Sequence, residues 1–97
     1  MKAFDYVEVR VPAKPQYVSV IRLTVSGLAA RIGFTYDEIE DLKIATGEAV
    51  TNVVHHAYND HEDGEIVIGC ALFDHKIEIM VADYGSSFNF EEVKSKI

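Results

Sequence analysis

A chain of 97 residues, with 48% hydrophobic and 26% charged side chains, can build one modest core, and this balance excludes a disordered polypeptide. The formal net charge of −7 opposes unaided binding to nucleic-acid phosphates, so we expect no direct nucleic-acid partner. The apolar runs are far shorter than the ~20 residues of a membrane span, and the first residues lack a signal-peptide core. These features predict a cytoplasmic domain without a membrane partner.

The first part of the chain predicts a strand followed by a helix. From Phe4 to Val11 apolar and polar residues alternate, which is the two-residue period of a half-buried strand. Proline residues then end this strand, and Pro15 suits the first position of a helix. We expect that helix to run from about Pro15 to Ile32, with Gly33 as its left-handed stop.

A second helix is predicted from Thr35 to about Tyr58. Thr35 and Glu38 have the spacing of a capping box, and acidic residues in the first turns favour the positive end of the helix dipole. The helix carries an apolar stripe that should face a core. Its members are Ile39, Leu42, Ala45, Ala49, Val50 and Val53.

Two further strands are expected, from Glu65 to Phe73 and from Lys76 to Ala82, joined by a tight turn at Asp74 and His75. Residues 83–87 carry turn chemistry, and the sequence pattern assigns no structure to Phe88–Ile97. This order of elements suggests an α+β fold: a two-layer sandwich of an antiparallel sheet with helices on one face.

The cysteine and histidine residues point away from metal or thiol chemistry. Cys70, the single cysteine, falls in a strand-like run and is expected to be a buried small apolar side chain. His55, His56 and His61 have no Cys or second acidic residue at zinc-ligand spacing, so we predict no structural zinc site. His75 should face solvent in its turn.

Glu48 and Asn52 form the first candidate site. Residues four apart lie on one helix face, so the carboxylate and the amide should project together. A positioned glutamate can remove a hydroxyl proton, and an amide oxygen can supply one ligand to Mg²⁺ beside substrate phosphates. The alternative interpretation is an ordinary solvated helix face.

Asp83 and Gly85 form the second candidate site. A carboxylate at a strand end can accept a hydrogen bond from an exocyclic amine, and a glycine allows a flat ligand to approach the backbone. An Asx-type turn is the alternative. Arg22, on the first helix, is either a solvated charge or an anchor for a protein partner.

In order and spacing these residues resemble a known family. Glu48-x-x-x-Asn52 followed by Asp83-x-Gly85 is similar to the N box and first G box of the GHKL ATPase superfamily. The flanking residues Tyr36–Ala45 and His56-Ala57-Tyr58 narrow the resemblance to the anti-sigma-B factors, a family of serine kinases, and it covers nearly the whole chain.

The resemblance implies a Bergerat-type ATP-binding fold with ATP and Mg²⁺. It makes Glu48 the general base toward a substrate serine, Asn52 the Mg²⁺ ligand, and Asp83 the acceptor for the adenine amine. It also places Gly85 and His56 at the nucleotide. The implied partners are a STAS-type anti-anti-sigma protein, an alternative (general stress) sigma factor of the sigma-B type and a second copy in a homodimer, with Arg22 on the partner surface.

Three departures from the family pattern are expected to matter. Residue 47 is glycine where close relatives tend to have serine, and Ser86-Ser87 follows Gly85 in place of a second glycine. Residues 1–97 are interpreted as a single GHKL-type domain without the second glycine box and the ATP lid. A catalytically incompetent binding module that keeps only a partner or dimer surface is therefore the alternative to a kinase.

Overall fold

The computed structural model describes residues 2–60, 64–84 and 88–96, and within them an α+β fold. The strands are β1 (Asp5–Pro12), β2 (Glu65–Phe73), β3 (Lys76–Tyr84) and β4 (Phe88–Lys96). The helices are α1 (Val18–Arg31), which follows a 3-10 turn at Pro15–Tyr17, and α2 (Tyr36–Asp60).

The sheet is antiparallel throughout, in the order β1-β2-β3-β4. Both helices lie between β1 and β2 in sequence, and α2 contacts β3 and β4 while α1 contacts β2. The inward residues of the strands meet the helices in one core, whose least exposed members include Ile21, Val25, Val50, Val53, Ile66, Ile68, Ile77 and Ile79. Burial of each large aliphatic side chain contributes roughly 1.5–3 kcal/mol, so this layer contact dominates the stability.

Local signals fix the ends of the helices. Gly33 has a φ of 94°, so the left-handed stop predicted after α1 is confirmed. At the start of α2 the Thr35 Oγ1 accepts a hydrogen bond from the Glu38 N–H at 3.2 Å, and the Thr35 N–H donates to Glu38 Oε1 at 2.7 Å. The predicted capping box is therefore formed.

The strands differ from the prediction mainly at the chain's end. β1 and β2 match their predicted bounds to within one residue, and Asp74–His75 is the expected turn. β3 extends two residues beyond Ala82, because Asp83 pairs with Ile66 and Asn89 across the sheet, so the turn predicted at Asp83 was wrong. β4 occupies a segment to which the sequence assigned no structure.

One member of the predicted apolar stripe on α2 was wrong. Ala45 is exposed, whereas Thr46 beside it is completely buried. The inner face of α2 is therefore rotated toward Thr46, with Leu42, Ala49, Val50 and Val53 around it. Cys70 is buried and His75 is exposed, as expected.

Candidate functional site

Glu48 and Asn52 lie together on the outer side of α2. Both side chains are exposed, and both line one groove of about 600 Å³. The burial of Thr46, Val50 and Val53 against the sheet fixes the rotation of the helix, so residues 48 and 52 must point away from the core. The prediction that this acid and amide share a face is confirmed by the groove that they line.

The groove is bounded by α1 as well as α2. Arg22 reaches it from α1, and the rest of its wall comes from α2: Glu40, Lys43, Ile44, Gly47 and Thr51. Lys43 Nζ lies 3.2 Å from Glu40 Oε2, so these two charges neutralise each other. Arg22 makes no side-chain hydrogen bond or ion pair with any residue that the structure describes, which leaves its donors available to an anionic group.

Four residues of the groove wall were not predicted from the sequence as site residues: Glu40, Lys43, Ile44 and Thr51. All four could have been found from helical spacing, because residues 43, 47 and 51 form a row four apart beside the row of residues 40, 44, 48 and 52. The approach of Arg22 to this row depends on the contact between two helices, which local spacing does not reveal.

Asp83 occupies a different environment from Glu48 and Asn52. Its side chain is only 2% exposed, in the last part of β3. An ionisable group at such a position is costly to bury and is therefore a candidate for a specific binding role. Asp83 is not among the described residues that line the groove of Glu48 and Asn52, so the common nucleotide site that the resemblance implies for all three stays a prediction.

Two predicted site residues, Gly85 and His56, fall wholly or partly outside the residues that the structure describes. Gly85 lies outside them, as does His61, which was considered above as a zinc ligand. His56 belongs to α2, but its side chain is also outside the described part. Their assignment to a nucleotide remains a prediction from the resemblance.

The residues of the groove fit a magnesium ion that is held mainly by a nucleotide. Mg²⁺ usually takes one or two protein oxygen ligands and keeps water and substrate phosphates for the remaining positions. Asn52 offers an amide oxygen and Glu48 a carboxylate on the same exposed face. Within the described ranges, three or more His, Cys, Asp or Glu side chains do not gather into a protein-only metal centre.

Comparison with known proteins identifies the fold family. The family model for the histidine kinase-like ATPase domain matches residues 11–96. The chain belongs to this family. The match covers both helices, β2, β3, β4 and the last two residues of β1, so the domain includes the groove described above.

Several curated relatives are similar over nearly the whole chain. The serine-protein kinase RsbW of Oceanobacillus iheyensis is 57% identical over 96 residues, which are 99% of this chain and 61% of that protein. The protein of the same name from Bacillus subtilis is 56% identical over 88 residues, which are 91% of this chain and 55% of that protein. The resemblance to serine kinases of the GHKL superfamily is therefore confirmed. The chain spans a little over half the length of these relatives.

In the described part of this ATPase domain, neither helix combines the length and the apolar character needed to cross a bilayer.

Proposed function

We propose that the protein containing this domain is an ATP-dependent protein-serine kinase that also acts as an anti-sigma factor. Its substrate would be a STAS-type anti-anti-sigma protein, and its second partner an alternative sigma factor of the general stress response. The main support for this proposal is that Glu48 and Asn52 are both exposed and line the same groove, in a domain that belongs to the histidine kinase-like ATPase family. The names of the curated relatives support the kinase activity.

Glu48 would act on the substrate serine. Its exposed carboxylate can accept the hydroxyl proton while the serine oxygen bonds to the γ-phosphorus and the bond to ADP breaks. Asn52, one helical turn away, would hold Mg²⁺ through its side-chain oxygen. When bound, ATP with Mg²⁺ supplies the phosphoryl group and neutralises its charge.

Asp83 would recognise the base of the nucleotide. A buried carboxylate can accept a hydrogen bond from the amine of adenine, and such a bond discriminates strongly because the site is shielded from water. Gly85 and His56 would complete the nucleotide site. These assignments follow the resemblance carried by Asp83-x-Gly85 and by His56-Ala57-Tyr58.

Arg22 would contact the protein partners. It is exposed, carries a charge with no ion pair among the described residues, and lies beside the groove that contains Glu48. A guanidinium group in that position suits an anionic side chain on a docked protein. We also propose that the protein works as a homodimer in the cytoplasm.

The test separates the roles of the two groove residues in the full-length protein. Glu48→Ala should abolish transfer of labelled phosphate to the STAS-type protein while calorimetry shows unchanged binding of ATP with Mg²⁺. Asn52→Ala should weaken that binding itself. Glu8→Ala is a matched control, since it removes an exposed carboxylate from the opposite side of the molecule.

Equal losses of nucleotide binding in Glu48→Ala and Asn52→Ala would contradict the assigned roles. Nucleotide binding by the native protein without any transfer to serine would instead support a binding module without kinase activity.

A further inference from the structure

Gly47, in the middle of α2, is in close contact with Arg22 of α1. A Cβ atom at residue 47 would lie 2.9 Å from Arg22 Nε and 3.5 Å from both Cδ and Cζ. The first distance is shorter than real Cβ contacts. The end of the Arg22 side chain therefore occupies space that any residue other than glycine would need.

The backbone of α2 does not itself require glycine here. Gly33 is the only glycine with a positive φ among the residues that the structure describes. The φ of Gly47 is therefore negative, and the backbone at residue 47 has a conformation that every residue can adopt. Glycine in a helix interior is unfavourable relative to alanine, so its presence calls for another reason. Gly27 in α1 provides a contrast, since nothing would contact a Cβ there within 4 Å.

Arg22 lines two cavities, as does Thr51 of α2. It lines the groove of Glu48 and Asn52, and it lines a second cavity of about 350 Å³ together with Val18 and Val54. With no hydrogen bond or ion pair to a described residue, the side chain is positioned by packing alone. Its close approach to Gly47 is therefore one of the packing contacts that set where the guanidinium group lies.

We propose that Gly47 is the positioning residue for Arg22. The missing side chain lets the stem of Arg22 lie flat on α2, so that its cation stands in the groove beside Glu48 and Asn52 and meets an anionic group of the docked protein substrate. A Cβ at residue 47 displaces the flexible arginine and leaves the helix intact. The identity of the partner rests on the proposed function; the contact between Gly47 and Arg22 does not.

The main experiment measures kinetics and thermal stability of the full-length protein with the STAS-type protein as substrate. Gly47→Ala should raise the melting temperature, because alanine favours the helix, yet raise KM for the protein substrate roughly tenfold, the scale of one charge-assisted hydrogen bond. Any change in kcat or in the KM for ATP should be smaller than this rise in the KM for the protein substrate. Gly27→Ala, the matched control, should raise the melting temperature and leave every kinetic constant as it was.

A double-mutant cycle shows whether Gly47 acts through Arg22. Arg22→Ala alone should raise KM for the protein substrate, and adding Gly47→Ala to it should cause no further rise. If the two effects are additive, or if Gly47→Ala alone leaves this KM unchanged, the proposal is wrong.

A partner-independent readout distinguishes this proposal from the proposed function. In ¹⁵N-labelled protein without partner or nucleotide, Gly47→Ala should shift the Nε–H resonance of Arg22, assigned by its loss in Arg22→Ala, whereas Gly27→Ala should not. An unmoved resonance overturns the proposal even if the kinase activity is real. A shifted resonance in a protein that phosphorylates no STAS-type substrate keeps the positioning contact and refutes the proposed function.

Discussion

Thr46, on the inner face of α2, has a side chain whose polarity does not match its apolar surroundings. It is completely buried, and its Oγ1 has no hydrogen-bond partner among the residues that the structure describes. A buried hydroxyl without a partner loses its hydration and gains nothing in return. The position of this residue therefore lowers the stability of the domain.

Replacing this hydroxyl should stabilise the protein. Thr46→Val keeps the branched shape and removes only the polar group, so the free energy of unfolding should rise by about 1 kcal/mol. Urea unfolding followed by circular dichroism measures the change. Thr51→Val, on the same helix at an exposed position, is the control and should have little effect. A loss of stability specific to Thr46→Val would mean that the hydroxyl has a partner.

Cys70 links stability to pH. Burial raises the pKa of its thiol from 9.0 to about 11, because the thiolate is poorly solvated in the core. The unfolded chain therefore loses this proton at lower pH than the folded chain, and above pH ~9 the folded state binds more protons. The contribution of Cys70 to stability is fully present below this pH and is lost as the pH rises toward 11.

This linkage can be measured by comparing two proteins across alkaline pH. The free energy of unfolding of the native protein should fall more steeply between pH 9.0 and about 11 than that of Cys70→Ala, by up to about 3 kcal/mol. Cys70→Ala is the control for the native protein, since it retains every other group that titrates at alkaline pH. Parallel slopes for both proteins would show that the thiol does not titrate differently in the folded state.

At the level of elements, the start of α2 depends on the capping box. Thr35→Ala removes the acceptor for the Glu38 N–H and should lower the free energy of unfolding by about 1 kcal/mol. Thr35→Ser keeps the hydroxyl and should retain most of the stability. Denaturant titration of the three proteins gives the comparison, and equal losses in both variants would assign the effect to the methyl group of Thr35.

Elements with strong local signals could be predicted from the sequence, whereas β4 could not. The capping box, Gly33 and the turn at Asp74–His75 act within a few residues, so they can be recognised without the fold. β4 begins with two alternating phenylalanines and continues with a run rich in charged residues. This is a weak strand pattern. It forms because each of its residues pairs with β3.

In the candidate site, too, some features follow from local sequence and others depend on tertiary packing. The common face of Glu48 and Asn52 follows from helical spacing alone. The exposure of Ala45 and the burial of Thr46 depend on how α2 rotates on the sheet, which an apolar stripe does not fix to a single residue. The contact of Arg22 with Gly47 depends on the packing of two helices and has no signal in the local sequence.

For the whole molecule, the order of the strands predicts how stability is distributed. β2 and β3 pair on both sides and supply fully buried residues such as Ile68 and Ile79, whereas β1 pairs on one side and its Val7 and Val9 stay partly exposed. Amides that open only with the global core exchange most slowly. The central strands should therefore exchange hydrogen only through complete unfolding.

Native-state hydrogen exchange at increasing denaturant concentration measures this distribution. The amides of Ile68 and Ile79 should converge on the global free energy of unfolding, with a strong dependence on denaturant, while hydrogen-bonded amides of β1 open at lower free energy. Thr46→Val supplies an internal control. In the central strands it should raise the free energy of exchange by as much as it raises the free energy of unfolding, whereas the free energy of local opening of β1 should change little. If β1 exchanges as slowly as β2 and β3 in both proteins, the sheet opens as one cooperative unit, and the division between central and outer strands is wrong.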